Sequence, residues 1–311
     1  MKMKKTTRWI SFLLLMILLP VFAGAETVIT SFYPVWLMTL NLTDGLDHID
    51  VRNLAAPSVG CLHDYQLQPA DMKALSRADL FLINGAGMET FLSVIGETFP
   101  SLPVVEASAG IPLLQENDAL GLLEESPEDD ASGASSEGET NSHIWLDPLR
   151  AVQMAENLAE GLIQTFPADE PVITRNLNSL TDRLRALNEE LSAGLSPLPR
   201  KDIVTFHEAF PYFAAAYGLH VVAVVNREPG ETLTTYQLGV LAEEIKKLGN
   251  PPLFVEPQYE DLSARVLADE TGSRVWSLDP IVTGPAENPP LDYYEQVMRS
   301  NMQTLIEALS D

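Results

Sequence analysis

Four side chains that can bind a metal ion occupy loops or junctions between predicted elements. They are an imidazole in "CLHDY", one in "SHIWLDP", one in "TFHEAF" and a carboxylate in "SLDP", namely His63, His143, His207 and Asp279. Three imidazoles and one carboxylate form a suitable tetrahedral set for zinc. The four residues are scattered through the chain, so their spacing alone does not define a site. A single histidine is more often structural than a ligand.

The neighbours of these histidines raise two other kinds of chemistry. His207 and Glu208 match the start of the His-Glu-x-x-His motif of metalloproteases, but position 211 is proline where the second histidine is needed. Cys61 could supply a thiolate beside His63, although a small buried core residue is the favoured interpretation. As the only cysteine, it cannot form an internal disulfide. Of the remaining histidines, His48 is predicted in a surface turn and His220 in a strand.

The elements that must position these residues are short apolar runs that alternate with helical patterns. Four runs come early, "TVITSF", "IDVRNLA", "ADLFLING" and "PVVEA", and four come late, "DIVTFH", "HVVAVV", "PLFVEP" and "SRVWSLDP". This alternation predicts an α/β protein with two groups of about four parallel strands. His207 and Asp279 each follow a late strand, so both are expected at the carboxyl edge of one sheet, where ligands collect. We expect His207 at the edge of a cleft, outside the core.

A helical pattern separates the two groups of strands. Its apolar residues recur at spacings of three and four, at Ile173, Leu177, Leu180, Leu184, Leu187 and Leu191. This spacing predicts one apolar helix face. Its place in the chain leaves two alternatives: an ordinary amphipathic helix packed on one half, or a helix packed along both halves.

The first 25 residues have the composition of a secretory signal peptide. A basic start, "MKMKKTTRW", precedes an apolar run, "FLLLMILL", and a small-residue cleavage site in "FAGAE". The leader holds four of the 19 basic residues and none of the 44 acidic ones, so cleavage makes the net charge more negative than −25. Such a surface repels nucleic acid and anionic lipid. With Cys61 far from the leader, a free periplasmic or secreted protein without membrane insertion is expected.

One segment, residues 115–141, differs from the rest of the chain. It is rich in Ser, Gly and acidic residues and contains no basic residue and no aromatic one. A segment of this composition buries too little apolar surface to offset its ordering entropy. We predict a surface loop, which acts either as a solvated tether or as a weak attractor of cations.

Several stretches in this order resemble the metal-binding subunits of bacterial zinc and manganese ABC importers. They are "APSVGCLHDYQLQPADM", "SHIWLDP", "TFHEAFPYFAAAYGL", "PLFVEPQYEDLSARVLADETGSRVWSLDP" and "YYEQVMRSNMQTLIEAL". The resemblance runs from about residue 27 to the end. It implies two α/β lobes, each with a parallel sheet of about four strands, joined by one long rigid helix. The expected boundaries are 26–168 for the amino-terminal lobe, 169–195 for the helix and 196–311 for the carboxyl-terminal lobe.

The resemblance also assigns the metal ligands residue by residue. His63, His143, His207 and Asp279 occupy the ligand positions. Manganese members typically have glutamate at the third of these, so the imidazole of His207 indicates the zinc type, with manganese as the alternative. Glu256, at the end of "PLFVE", is expected at the cleft, either orienting a ligand or in a plain core or cap role. The chain departs from the common pattern of this family in two ways: it lacks a proline before the first ligand, and its acidic loop contains no histidine.

The expected function is therefore extracytoplasmic capture of zinc by a monomer and its delivery to an ABC permease. The first alternative is a manganese carrier of the same family. A secreted zinc hydrolase is a weaker one, because four protein ligands would close the position that a catalytic water needs. A surface adhesin is the third.

Overall fold

The structure is a computed structural model that describes residues 25–60, 62, 65–115, 140–225, 233–258 and 262–310. The predicted leader lies outside these residues apart from Ala25, and so do residues 116–139 of the acidic segment. The ends of that segment are part of the folded lobe: Gln115 and Thr140 form an isolated antiparallel bridge, and Asn141 is fully buried. The predicted loop otherwise lies outside the described residues and stays a prediction.

The eight predicted strands form two four-stranded parallel sheets, as expected. The first sheet has the order β2-β1-β3-β4 and the second the order β6-β5-β7-β8. In chain order the strands are Glu26–Thr30 (β1), Ile49–Asn53 (β2), Leu80–Ile83 (β3), Val104–Glu106 (β4), Asp202–Thr205 (β5), His220–Val224 (β6), Leu253–Val255 (β7) and Val275–Ser277 (β8). Their β-branched residues suit strands buried between helices.

Helices connect the strands and cover the sheets, as parallel strands require. In chain order they are Tyr33–Leu42 (α1), Pro69–Leu75 (α2), Leu92–Thr98 (α3), Pro148–Thr165 (α4), Glu170–Leu195 (α5), Pro211–Tyr217 (α6), Thr235–Lys247 (α7), Leu262–Thr271 (α8) and Tyr293–Leu309 (α9). No helix in the described part of the chain is long and apolar enough to cross a membrane.

The helix α5 is the predicted connection between the two lobes. Its 26 residues correspond to a length of about 39 Å. The predicted apolar stripe is buried, with Leu177 only partly covered. This stripe packs against α1 and α4 on the side of the first sheet and against α9 on the side of the second. Of the two alternatives for this helix, the structure therefore supports packing along both lobes.

One continuous apolar core extends across both lobes. It includes Phe81 from the first sheet, Leu187 from α5 and Phe213 from α6, while a smaller cluster around Val204 and Leu253 lies under the second sheet. Residues that follow β5 and β8 contact the other lobe: the carbonyl of Glu208 accepts from Asn141, and the carbonyl of Pro280 accepts from Trp145.

Candidate metal centre

His143 is buried in the segment that leads into α4. It precedes a short 3-10 turn, Ile144–Leu146, and its exposed fraction is 2%. The side-chain oxygen of Asn141 accepts hydrogen bonds from the backbone N–H of His143 at 3.0 Å and from its Nδ1 at 3.3 Å. With the proton on Nδ1, Nε2 is the ring nitrogen of His143 that carries the lone pair. This is the arrangement by which a protein orients a metal-binding imidazole.

Asn141 also links this segment to the other lobe. Its side-chain N–H donates to the carbonyl oxygen of Glu208 at 2.7 Å, and its own carbonyl accepts from the Tyr212 hydroxyl at 2.8 Å. Glu208 directly follows His207, so one asparagine fixes the backbone beside both histidines. Sequence reasoning missed this role, because Asn141 falls inside the acidic window that composition assigned to a loop.

His207 lies where β5 ends, as predicted from the sequence. The expectation that it would be outside the core is wrong: its exposed fraction is 4%, and His143 of the first lobe packs against it. Its Nε2 lies 3.1 Å from the Nε2 of His143, and the two rings are nearly perpendicular at 77°. Two nitrogens bound at about 2.05 Å to a tetrahedral ion lie roughly 3.3 Å apart, so this separation suits a shared ion.

Asp279 follows β8 and reaches the same edge of the second sheet. Its backbone N–H donates to the side chain of Asn301 at 2.9 Å, and its Oδ1 accepts from the N–H of Ile281 at 2.7 Å. Ile281 is buried and has a φ of 63°, which is a strained conformation for a β-branched residue. Burial raises the pKa of the Asp279 carboxyl.

Two carboxylates are close to each other at this edge. Glu256, directly after β7, is 4% exposed, and burial followed by the charge of Asp279 raises its pKa to about 8. Gln258 donates a hydrogen bond to Oε2 of Glu256, while Oε1 has no hydrogen-bond partner among the described residues. A cation near these carboxylates would favour their charged forms. Whether Glu256 orients a ligand stays a prediction.

The first predicted ligand, His63, lies outside the described residues, as does Cys61. Of the described residues before His63, Leu62 is fully buried, and the carbonyl of Pro57 accepts from the N–H of Gly284 in the second lobe at 3.3 Å. The Asp279 carboxylate lies more than 4.8 Å from the ligand nitrogen of at least one of the two described imidazoles. In the described part of the chain, it does not form a group with His143 and His207 whose ligand atoms all lie within 4.8 Å.

Further contacts tie the two lobes together around the paired imidazoles. The indole N–H of Trp145 donates to the carbonyl of Pro280 at 2.8 Å, and the Tyr294 hydroxyl donates to the carbonyl of Trp145 at 2.6 Å. Tyr33 packs so closely on Gly284 that a Cβ there would lie 2.3 Å from the Tyr33 hydroxyl. Hydrogen bonds and close packing therefore join the two lobes through Trp145, Tyr294 and Gly284.

The contacts of Asn141 lead to a measurable expectation. We expect Asn141→Ala to lower zinc affinity by roughly 10- to 100-fold, because the imidazole of His143 loses the partner that orients it. The control is Asn176→Ala, since Asn176 also donates to two backbone carbonyls, those of Leu42 and Asp44, but lies on α5. Zinc titration by calorimetry of both variants is the measurement. Equal affinity in the two variants would show that Asn141 does not orient the ligand.

The chain is similar in sequence to components of metal-uptake systems. Residues 28–308 match the family model described as zinc-uptake complex component A, periplasmic. The zinc-binding protein AdcA of Streptococcus pyogenes is 26% identical over 91% of this chain and 56% of its own length. The high-affinity zinc uptake system protein ZnuA of Brucella suis is 25% identical, and the match covers 92% of each chain. The chain thus spans about half the length of the streptococcal relatives.

Solved structures share the same fold. The solute-binding protein FpvC of Pseudomonas aeruginosa, in complex with Mn²⁺, has a TM-score of 0.77 at 26% identity and covers 92% of this chain and 98% of its own. The Zn(II)-bound ZnuA-like domain of Streptococcus pneumoniae AdcA has a TM-score of 0.75 at 25% identity, with 93% and 100% covered. Metal-bound relatives with either ion therefore have this two-lobed architecture.

Proposed function

Because this chain belongs to the family of periplasmic components of zinc-uptake complexes, we propose that it captures zinc outside the cytoplasm and delivers it to the permease of an ABC importer. The observation that carries the proposal is the pair of buried imidazole nitrogens 3.1 Å apart, one from each lobe. The family role is uptake, which agrees with the expectation that the chain is not an enzyme.

The proposed ligand set is His63, His143, His207 and Asp279. The orientation of His143 by Asn141 supports it, as do the positions of His207 and Asp279 after β5 and β8. The proposed lobes, 26–168 and 196–311, each contribute two of these ligands, and 169–195 connects them. We include three further points in this proposal: delivery to a membrane permease, a monomeric state and no binding of nucleic acid. The family supports delivery to a permease, and the negative net charge argues against binding of nucleic acid.

The choice of zinc rests on the chemistry of the donors. Imidazole nitrogens suit zinc, whereas manganese prefers carboxylate, carbonyl and water oxygens. Manganese is the alternative, because FpvC is similar in structure and is a complex with Mn²⁺. A site of three imidazoles holds late divalent ions in general, so selection among them depends on site geometry, ligand type and metal availability.

Competition between the two metals tests the proposed function. Protein treated with a chelator is expected to take up one equivalent of zinc tightly. When free zinc is 1,000 times Kd, binding is expected to stabilise the fold by about 4 kcal/mol and so to raise its thermal midpoint. Manganese is expected to bind more weakly and to be displaced. Equal or tighter binding of manganese in direct competition would contradict the assignment of zinc as the transported metal.

A further inference from the structure

A second group of metal-binding side chains lies at the opposite edge of the first sheet from the cleft. Glu26 begins β1, His48 directly precedes β2, and Asp169 directly precedes α5. Their ligand atoms all lie within 4.8 Å of one another. The five residues of β1 separate this amino edge from the carboxyl edge by about 15 Å, so the group is independent of the paired imidazoles.

The distances within this group suit coordination of one ion. The Nε2 of His48 is 3.0 Å from Oδ2 of Asp169 and 3.9 Å from Oε2 of Glu26. Two ligand atoms at about 2.1 Å from an ion are roughly 3.0 Å apart at a right angle and roughly 3.4 Å apart at the tetrahedral angle. Small rotations of the Glu26 side chain would bring all three atoms into one coordination sphere.

An unsatisfied carboxylate oxygen faces the imidazole. Oε2 of Glu26 is buried and has no hydrogen-bond partner among the described residues, although the side chain as a whole is 40% exposed. A buried carboxylate oxygen without a donor is costly, and a cation is the partner that would satisfy it. Asp169, at 14% exposure, is also mostly withdrawn from solvent.

A plain hydrogen bond between histidine and aspartate is the simpler explanation, and the chain contains an example of it. His220 contacts Asp202 at 2.9 Å on β6, where no third ligand from the described residues completes a group of this kind. The group around His48 differs by its second carboxylate and by the unsatisfied oxygen of Glu26. The amino end of α5 disfavours a cation, but two carboxylates outweigh the partial charge of a helix terminus.

We propose that Glu26, His48 and Asp169 form a second, weaker site for a divalent transition metal such as zinc, with water completing the shell. One imidazole with two carboxylates matches zinc-type ligand chemistry better than the all-oxygen shells of calcium or magnesium. A bound ion would connect the start of β1, the turn before β2 and the amino end of α5. It would cross-link these three segments of the first lobe whether or not the cleft holds a metal ion.

The test is a zinc titration that follows the imidazole resonances of His48 and His220 by NMR while calorimetry counts equivalents. After the first equivalent, further zinc is expected to shift His48 and leave His220 unmoved. His48→Ala is expected to abolish the second equivalent and keep the first, whereas His220→Ala keeps both. Glu26→Gln is expected to weaken the second equivalent by about tenfold or more, because a charged ligand oxygen is exchanged for a neutral amide oxygen.

The same titration in His207→Ala separates this site from the cleft. Zinc is expected to shift His48 there as well, because the two groups share no residue. Three results would overturn the proposal. The His48 resonance could stay unshifted at millimolar zinc, a second equivalent could still bind in His48→Ala, or His48 and His220 could shift in parallel. None of these outcomes tests the proposed zinc site in the cleft, which is tested by binding of the first equivalent of zinc.

Discussion

Replacing His207 with alanine is expected to lower zinc affinity by roughly a hundredfold or more. Zinc held by four protein ligands binds with about 10–16 kcal/mol, so an even share for one ligand is about 3 kcal/mol, or roughly a factor of 100. The geometry supports a direct role, since the Nε2 of His207 faces that of His143 at 3.1 Å. Calorimetric titration of chelator-treated protein measures the change.

Two further variants make this result specific. His207→Glu keeps a ligand but exchanges nitrogen for oxygen, so it is expected to shift the preference from zinc toward manganese. His220→Ala removes an exposed histidine of β6 and is expected to leave zinc binding in the cleft unchanged. Because His207 is buried, its truncation also leaves a cavity, and we expect a cost of about 1–3 kcal/mol to the metal-free fold. Zinc binding at wild-type strength in His207→Ala would refute the proposed site.

Trp145→Ala is expected to destabilise the metal-free protein by about 3–5 kcal/mol, the usual cost of removing a large buried aromatic side chain. Trp145 is fully buried and packs edge-on against Phe32 with ring centroids 5.1 Å apart. Its indole also donates to the carbonyl of Pro280 in the other lobe. The substitution therefore removes core packing and a connection between the lobes together. Urea denaturation followed by circular dichroism is the measurement.

The matched control is Tyr236→Ala, because Tyr236 is 80% exposed on α7. We expect its free energy of unfolding to stay within about 0.5 kcal/mol of wild type. Trp145→Phe keeps an aromatic ring but loses the donor to Pro280, so it should fall between the two. A loss below about 1 kcal/mol in Trp145→Ala, less than burial predicts, would mean that the lobes are not held together through this residue.

The sequence was sufficient for the architecture. The eight strands were predicted because each lies in a short apolar run, several of them rich in β-branched residues, and the parallel order follows from the helices between them. The stripe from Ile173 to Leu191 identified α5, because spacings of three and four place its residues on one face. His207 and Asp279 were predicted at one edge of the second sheet, because ligands gather at the carboxyl ends of parallel strands.

The finer features of the site depend on contacts that no local pattern encodes. Asn141 orients His143 through a bond between side chains two residues apart, yet its neighbours have the composition of a loop. Burial of His207 depends on the first lobe, which packs over the end of β5 from a distant part of the chain. The strained φ of Ile281 is imposed by surrounding contacts, and an isoleucine by itself predicts an extended backbone.

The burial of both imidazoles has a kinetic consequence. With exposed fractions of 2% and 4%, the side chains of His143 and His207 are almost fully withdrawn from solvent, so an ion held between them would be withdrawn as well. The ion would escape only when the surrounding segment opens, so its dwell time would be set by the free energy of that local opening as much as by the strength of its bonds. Since α5 packs against helices of both lobes, an opening that leaves this helix in place would have to involve the segments around the imidazoles. A membrane partner could then hasten release by holding those segments apart, without competing for the metal.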